Sequence, residues 1–261
     1  NGRPLQYVAH AISEDLIHWE KLPELTFGAD ESIYEPFDWR DPFVFYNEEE
    51  ECFDMLLAAG LQGASEKNGG CVGLCRSYDL IHWKAMQPFY NPKSYMTHEC
   101  PDLFKMGDKW YLIYSTFSEK FVTHYRMADK ISGPWTAPIE DTFDARAFYA
   151  AKTAQAKDVR MAFAWVPTKR GDSDFGQYEW GGNLIAHEIK QDEDGKLKVR
   201  PSNGLINIFE KEITANNIED IEIKNDEGEK VYVIEGMKEN CLIEATIEFC
   251  EGSRAFGIGL R

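Results

Sequence analysis

The sequence predicts an all-β protein, a β-propeller that is incomplete at its N-terminus, followed by the beginning of a C-terminal β-sandwich. Three observations carry that prediction. Helical periodicity is almost absent from the 261 residues, while short β-branched and aromatic runs bounded by Gly, Asp, Asn and Pro recur throughout. The stretch DLIHW occurs twice, from Asp15 to Trp19 and from Asp79 to Trp83, and such a repeat marks one supersecondary unit used again. After about Pro201 apolar and polar residues alternate with a period of two, the pattern of a half-buried sheet.

From Asp41 onward the chain reads as four strands in series, DPFVFY, CFDMLLAAGL, GCVGLCRS and IHWKAM, separated by polar or glycine-bearing turns. The scheme returns in PDLFKM, KWYLIYSTF and FVTHYRMA with a short edge near TAPI, and again in AFYAAKTAQ, VRMAFAWVP, GGNLIAHEIKQ and LKVRP. Four-stranded antiparallel units in series are blades set radially around a channel. DLIHW then becomes the turn into each outermost strand, with Asp15 and Asp79 closing the turn and Trp19 and Trp83 packing between blades. ADKISGPW is a degenerate third copy that keeps Asp129 and Trp135, and His18 and His82 are structural turn residues. Only the last strands of a blade precede Asp41, so the propeller is expected to begin partway through. Residues 1–205 are assigned to it and residues 206–261 to the start of the sandwich, with strands IEDIEIKN, KVYVIEG, CLIEATIEF and AFGIGLR and a polar connection FEKEITANN.

The 28 basic and 45 acidic side chains leave a formal charge of −17, which repels phosphate backbones and anionic lipid surfaces; nucleic acid and membrane are excluded as partners. No apolar run approaches the length of a membrane span and no stretch resembles a signal peptide, while the chain opens at Asn1 without a methionine, so what precedes it is out of view. None of the six cysteines, Cys52, Cys71, Cys75, Cys100, Cys241 and Cys250, sits in a paired zinc spacing, so no metal site is expected. On one strand Cys71 and Cys75 share a face but stand roughly 13 Å apart, too far for a disulfide. Free, mostly buried thiols lean toward a reducing, cytoplasmic compartment.

Two segments stand at equivalent places before successive blades, DWRDPF at residues 38–43 and THECPDLF at residues 97–104. The start of an innermost strand faces the central channel, so Asp41 and Glu99 are expected to point at one pocket. Two converging carboxylates suit glycoside cleavage, where one protonates the leaving oxygen and another stabilises or attacks an oxocarbenium-like carbon. Asp-Pro is also a common turn opener, and Asp102 fits a turn equally well.

HWEKLP, WRDPFVF, HECPDLF and FYAAKT, taken in that order, resemble the signature of glycoside hydrolase family 32, the β-fructosidases related to invertase, levanase and inulinase. The resemblance spans residues 7–200 and implies a five-bladed β-propeller followed by a β-sandwich, with retaining chemistry on fructofuranosides and no cofactor. It implies that Asp41 holds fructose hydroxyls and stabilises the transition state, that Glu99 is the general acid/base, and that Arg40 orients carboxylates or sugar hydroxyls through forked hydrogen bonds. A salt bridge at the blade entrance explains Arg40 equally well. The family's nucleophilic aspartate, in an Asn-Asp-Pro-like segment of the first blade, has no counterpart in this sequence, so the chain is expected to be an internal piece of a longer enzyme. Asp144 and Tyr149, at the opening of the last blade, and Trp39 and Trp180, which either stack on sugar rings or pack between blades, complete the candidate carbohydrate-binding residues. Cys100 either keeps water from Glu99 or is a buried structural thiol, and residues 169–183 form a long specificity-shaping loop. A fructosyltransferase, a hydrolase of the other five-bladed families and a non-catalytic sugar-binding propeller are the alternatives.

Overall fold

The computed structural model describes residues 2–173, 175–209 and 241–244. The chain divides into two compact units, Asn1–Arg200 and Pro201–Arg261. Of the second unit, the described residues include one helical turn, α1 (Asn203–Ile206), capped by the Ser202 side chain, which accepts from the Leu205 N–H. The expected sandwich strands lie outside the described residues, apart from 241–244, which hold no strand.

The first unit is a series of antiparallel meanders. The pair β1 (Val8–Ile12) and β2 (Glu20–Phe27) precedes a four-stranded sheet of β3 (Tyr34–Asn47), β4 (Cys52–Leu61), β5 (Gly70–Ser77) and β6 (Lys84–Tyr90). A three-stranded sheet follows, β7 (Glu99–Met106), β8 (Lys109–Thr116) and β9 (Val122–Ala128), and then a second four-stranded sheet, β10 (Tyr149–Ala156), β11 (Val159–Lys169), β12 (Tyr178–Gln191) and β13 (Leu197–Arg200). In every sheet the strands pair in chain order, as blades require. The edge expected near TAPI shrinks to isolated bridges, Met127 with Thr136 and His124 with Thr142. Pro134 and Pro138 flank Thr136; neither has an N–H to extend a ladder, which stops the strand after one exchange of hydrogen bonds.

Three cores lie between the sheets, and the middle strands serve two of them at once. Met55, Leu57 and Ala59 of β4 face one cluster with Tyr34, Trp39 and Cys71, while Leu56 joins Val72, Leu103, Leu112 and Tyr114 on the other side. In β8, Leu112 and Tyr114 face that second cluster, whereas Tyr111 and Ile113 face a third with Phe104, Tyr125, Phe148 and Ile189. Strands buried on both faces need apolar residues at every position, hence LLAAGL and YLIY rather than a period-two pattern. Each large side chain so buried contributes about 1.5–3 kcal/mol relative to exposure.

The repeated DLIHW is the same turn built twice. Asp15 accepts from the backbone N–H groups of Ile17 and His18 at 2.9 and 2.8 Å, and Asp79 accepts from Ile81 and His82 at the same distances. The imidazoles fold back onto these carboxylates, at 2.6 Å for His18 and 2.7 Å for His82, and hold both aspartates well below the usual carboxylate range. Trp83 packs against the core between the first two sheets and donates to His10 Nε2 at 3.1 Å. Trp19 does not pack between blades; it is exposed, because no sheet precedes β1–β2 among the described residues. Asp129 likewise closes no turn and pairs instead with Lys109. Cys52, Cys71, Cys75, Cys100 and Cys241 are all free thiols.

Candidate active site

Three innermost strands carry the same irregularity. The register of β3 on β4 shifts between Arg40 and Phe43, that of β7 on β8 between Glu99 and Asp102, and that of β10 on β11 between Tyr149 and Lys152. At the centre of each bulge one residue takes a left-handed backbone: Asp41 with φ 57°, Cys100 with φ 50° and Ala150 with φ 56°. Bulges of this kind re-aim side chains at the rims of sheets. Here they place Arg40, Glu99 and Tyr149 in equivalent positions on successive sheets, and those three side chains meet.

Glu99 is held on both oxygens. Arg40 Nη2 donates to Oε1 at 2.7 Å, and the Tyr149 hydroxyl donates to Oε2. The rest of the Arg40 fork is spoken for as well: Nη2 also reaches Thr97 Oγ1 at 3.4 Å, while Nη1 donates to Asp38 and to Gln6 Oε1 at 3.2 Å. Burial disfavours the guanidinium charge, but the hydrogen bonds to Asp38 and Glu99 outweigh it and raise the pKa, so Arg40 is a fixed cation. Burial and the neighbouring Glu99 carboxylate push the Tyr149 phenol up, which keeps it a donor.

Asp41 sits against Arg40, with Oδ2 at 3.9 Å from Nε. The same oxygen accepts from the Cys100 backbone N–H at 3.0 Å and faces the Cys100 thiol at 3.6 Å. Cys100 thus contacts Asp41, and the Glu99 oxygens are engaged by Arg40 and Tyr149. Burial, then Asp41 and Glu99, push the thiol up to about 12, so it stays protonated and contributes no charge. Asp102 is not a turn residue. It is buried, accepts from the Thr153 N–H at 2.5 Å and has its pKa raised by that burial. Lys152, lowered by burial, donates to the Pro101 carbonyl at 2.6 Å and lies 4.6 Å over the Phe43 ring. These ties bind the three inner strands to one another beneath Glu99.

The structure thus brings Arg40, Asp41, Glu99 and Tyr149 together, with Trp180 beside them at 6.0 Å from the Tyr149 ring. Two candidates fall elsewhere. Trp39 has no exposed surface and packs on Tyr34 at 5.1 Å, so its indole cannot offer a face to a sugar; apolar burial between sheets has claimed it. Asp144 is engaged by His187 Nε2 at 2.8 Å and by the Ala145 N–H, and makes no contact with Glu99. Sequence reasoning missed Gln6, Asp38, Thr97 and Lys152. Aligning RDPF, ECPD and YAAK would have exposed Lys152 as the equivalent of Asp102, whereas Gln6 and Asp38 carry no signal of their own.

A model of the N-terminal domain of glycosyl hydrolases family 32 matches residues 6–201. The chain belongs to family 32. A curated relative, the sucrose-6-phosphate hydrolase of Escherichia coli, is 26% identical over 207 residues, covering 73% of this chain and 41% of the relative. The chain therefore spans less than half the length of that relative. Among solved structures, a family 32 β-fructofuranosidase of Bombyx mori in complex with sucrose superposes with a TM-score of 0.57 at 19% identity, over 76% of this chain and 44% of that one. Inulosucrase from Halalkalicoccus jeotgali bound to kestose superposes with a TM-score of 0.51 at 15% identity, over 74% of this chain and 59% of that one. At these identities the structural likeness concerns the fold.

Proposed function

We propose that this chain carries the acid/base half of a retaining β-fructofuranosidase and that its sheets belong to a five-bladed propeller. The observation that supports the reading best is the chain of contacts from Arg40 to Glu99 to Tyr149 with Asp41 alongside, built by one bulge repeated on three inner strands. In this reading Glu99 protonates the oxygen leaving the anomeric carbon of a fructosyl unit and afterwards deprotonates the attacking water. Arg40 and Tyr149 keep its two oxygens oriented through both steps. Asp41, fixed by the Cys100 N–H, accepts from fructose hydroxyls and stabilises the positive charge that develops on the ring. The attacking group is a third carboxylate, as the family resemblance implies, and forms the covalent fructosyl intermediate. Asp41 and Glu99 are the catalytic pair, Arg40 and Tyr149 position Glu99, and Trp180 contacts the carbohydrate.

The test is to assay the natural protein that carries this chain on sucrose, levan and inulin, counting released fructose and following the anomeric configuration of the first product. Fructose released with retention supports the reading; inversion, or no release from any of the three, would overturn it. Product analysis at high sucrose separates hydrolysis from fructosyl transfer, which differ in whether water or a sugar hydroxyl reaches the intermediate.

A further inference from the structure

Arg40 holds Glu99 with one arm of its guanidinium, and the other arm is held by a segment outside the sheet. Residues 35–38 fall in the register shift of β3 on β4 between Tyr34 and Trp39, so contacts other than a ladder place their side chains. Asp38 turns back on Arg40: Nη1 donates to Asp38 Oδ1 while Nη2 donates to Glu99 Oε1 at 2.7 Å. One guanidinium thus joins two carboxylates, and Asp38 offsets part of the positive charge that Glu99 meets.

On another side Asp38 borders a cavity of about 370 Å³, whose wall also includes Arg3, Glu31, Glu35, Glu66 and Met96. Two groups keep it from swinging into that space. Arg3 lies with its guanidinium 4.9 Å over the Phe37 ring, donates from Nη2 to Asp38 Oδ2 at 3.4 Å and brings Nη1 to 4.0 Å from Glu35 Oε2. Glu35 is wedged over Gly60, where a Cβ would stand 2.6 Å from Glu35 Oε1, and it faces Asp38. Burial first, then Asp38, push the Glu35 pKa up, which weakens the repulsion between the two carboxyl groups. Gln6 ties the same segment down, because its N–H donates to the Pro36 carbonyl at 3.2 Å while its Oε1 accepts from the Trp39 N–H at 3.0 Å and from Arg40 Nη1 at 3.2 Å. The charged groups around Asp38 are therefore Arg3, Glu35 and Arg40 at close range, with Glu31 and Glu66 on the cavity wall.

This much holding is more than a surface turn needs, and it converges on the arm of Arg40 that Glu99 does not use. From this geometry we infer that Asp38 is a positioning residue of the reaction: by taking one arm of Arg40 it fixes the arm that holds Glu99 and sets how much positive charge the proton donor faces. The inference rests on the fructosidase reading above, in which Glu99 must carry a proton to give to the leaving oxygen. A guanidinium left to itself favours the carboxylate, the wrong form for a donor; a second carboxylate on its far arm offsets that preference.

The experiment follows kcat/KM against pH in the natural protein that carries this chain, on whichever of sucrose, levan and inulin it cleaves fastest. In Asp38→Asn, which keeps the shape and loses the charge, the basic limb of the profile, where the donor loses its proton, should move down by about one pH unit. Asp38→Glu, which keeps the charge, should leave the limb near its wild-type place. Gln6→Glu puts a carboxylate on the same arm of Arg40, so by itself it should move the limb up by roughly half a unit, and combined with Asp38→Asn it should restore much of the lost ground. It also decides the matter should Asp38→Asn fail to fold. A residue that only braced the bulge would lower kcat/KM equally at every pH. An unmoved limb in folded Asp38→Asn, or in Gln6→Glu, would therefore overturn the inference while leaving the fructosidase reading intact. Wild-type protein that releases no fructose from any of the three substrates would overturn that reading and the role of Asp38 with it.

Discussion

Arg40 reaches Glu99, Asp38, Thr97 and Gln6 with one planar fork, and a lysine at that position has a single ammonium to offer. Arg40→Lys should keep the charge and lose the geometry, lowering kcat/KM on sucrose about 100-fold if Glu99 is the proposed acid/base, because its Oε1 is no longer held. Steady-state kinetics on the natural protein check it, and a loss below about threefold would reduce Arg40 to a blade-entrance salt bridge. Glu99→Gln tests the proton itself. Its activity on sucrose should fall by about 10²–10⁴-fold, while aryl fructosides with good leaving groups, which depart without protonation, should lose far less. Equal losses on both would make Glu99 a structural residue.

At the scale of the element, the segment that leads into β7 is what positions Glu99, and it is packed without slack. Gly70 opens β5, donates its N–H to the Tyr95 carbonyl at 3.0 Å, and leaves room for nothing more. A Cβ there would stand 2.4 Å from the Met96 carbonyl oxygen and 2.6 Å from Thr97 Cα, both backbone atoms. Gly70→Ala should therefore destabilise by about 1–3 kcal/mol and displace the strand carrying Glu99, seen together in thermal denaturation and in kcat. His98, on the same segment, is fully buried against Tyr90, Tyr95 and Tyr114, whose rings lie 5.8, 5.5 and 4.5 Å from its own. Burial first, then the charges of Arg126 and His124, push its pKa down to about 3 from an ordinary 6.5. Between those values the unfolded chain holds a proton that the folded chain refuses, so stability falls as pH drops through that window. The slope attributable to this one group approaches about 1.4 kcal/mol per pH unit. Urea midpoints measured from pH 7 to pH 4 should decline, and His98→Phe should flatten the decline; an unchanged slope would show that His98 does not govern it.

For the whole molecule the decisive features are net charge and exposed aliphatic side chains. Leu16 and Ile17 at the β1–β2 end and Leu184 on β12 are each more than 70% exposed among the described residues, and large exposed aliphatic side chains favour association. The formal charge of −17 opposes it. This chain in isolation should therefore self-associate more strongly as salt rises from about 10 mM to 500 mM, because screening weakens the repulsion while leaving apolar contact intact. Sedimentation velocity at both salt concentrations checks this. A monodisperse monomer throughout would show that the exposed faces are tolerated.

The strand order and the turn at DLIHW were legible in the sequence because each has a local cause, whereas Asp41 and Glu99 were singled out by the family resemblance and not by a local pattern. Strands buried on both faces must be apolar without interruption, as in LLAAGL, and an aspartate closing a turn needs only the N–H groups two and three residues ahead, as Asp15 and Asp79 show. What only the tertiary structure decided is which side chains meet across sheets. Trp39 and Trp180 are the same residue type and equal candidates in the sequence, yet one is sealed against Tyr34 and the other stands in solvent beside Tyr149. Arg40, Glu99 and Tyr149 are 59 and 50 residues apart along the chain and touch because a bulge recurs in register on three strands. A sequence records the residues available to each sheet, and long-range packing selects the partners, because burial and hydrogen-bond geometry between sheets depend on positions that no local pattern encodes.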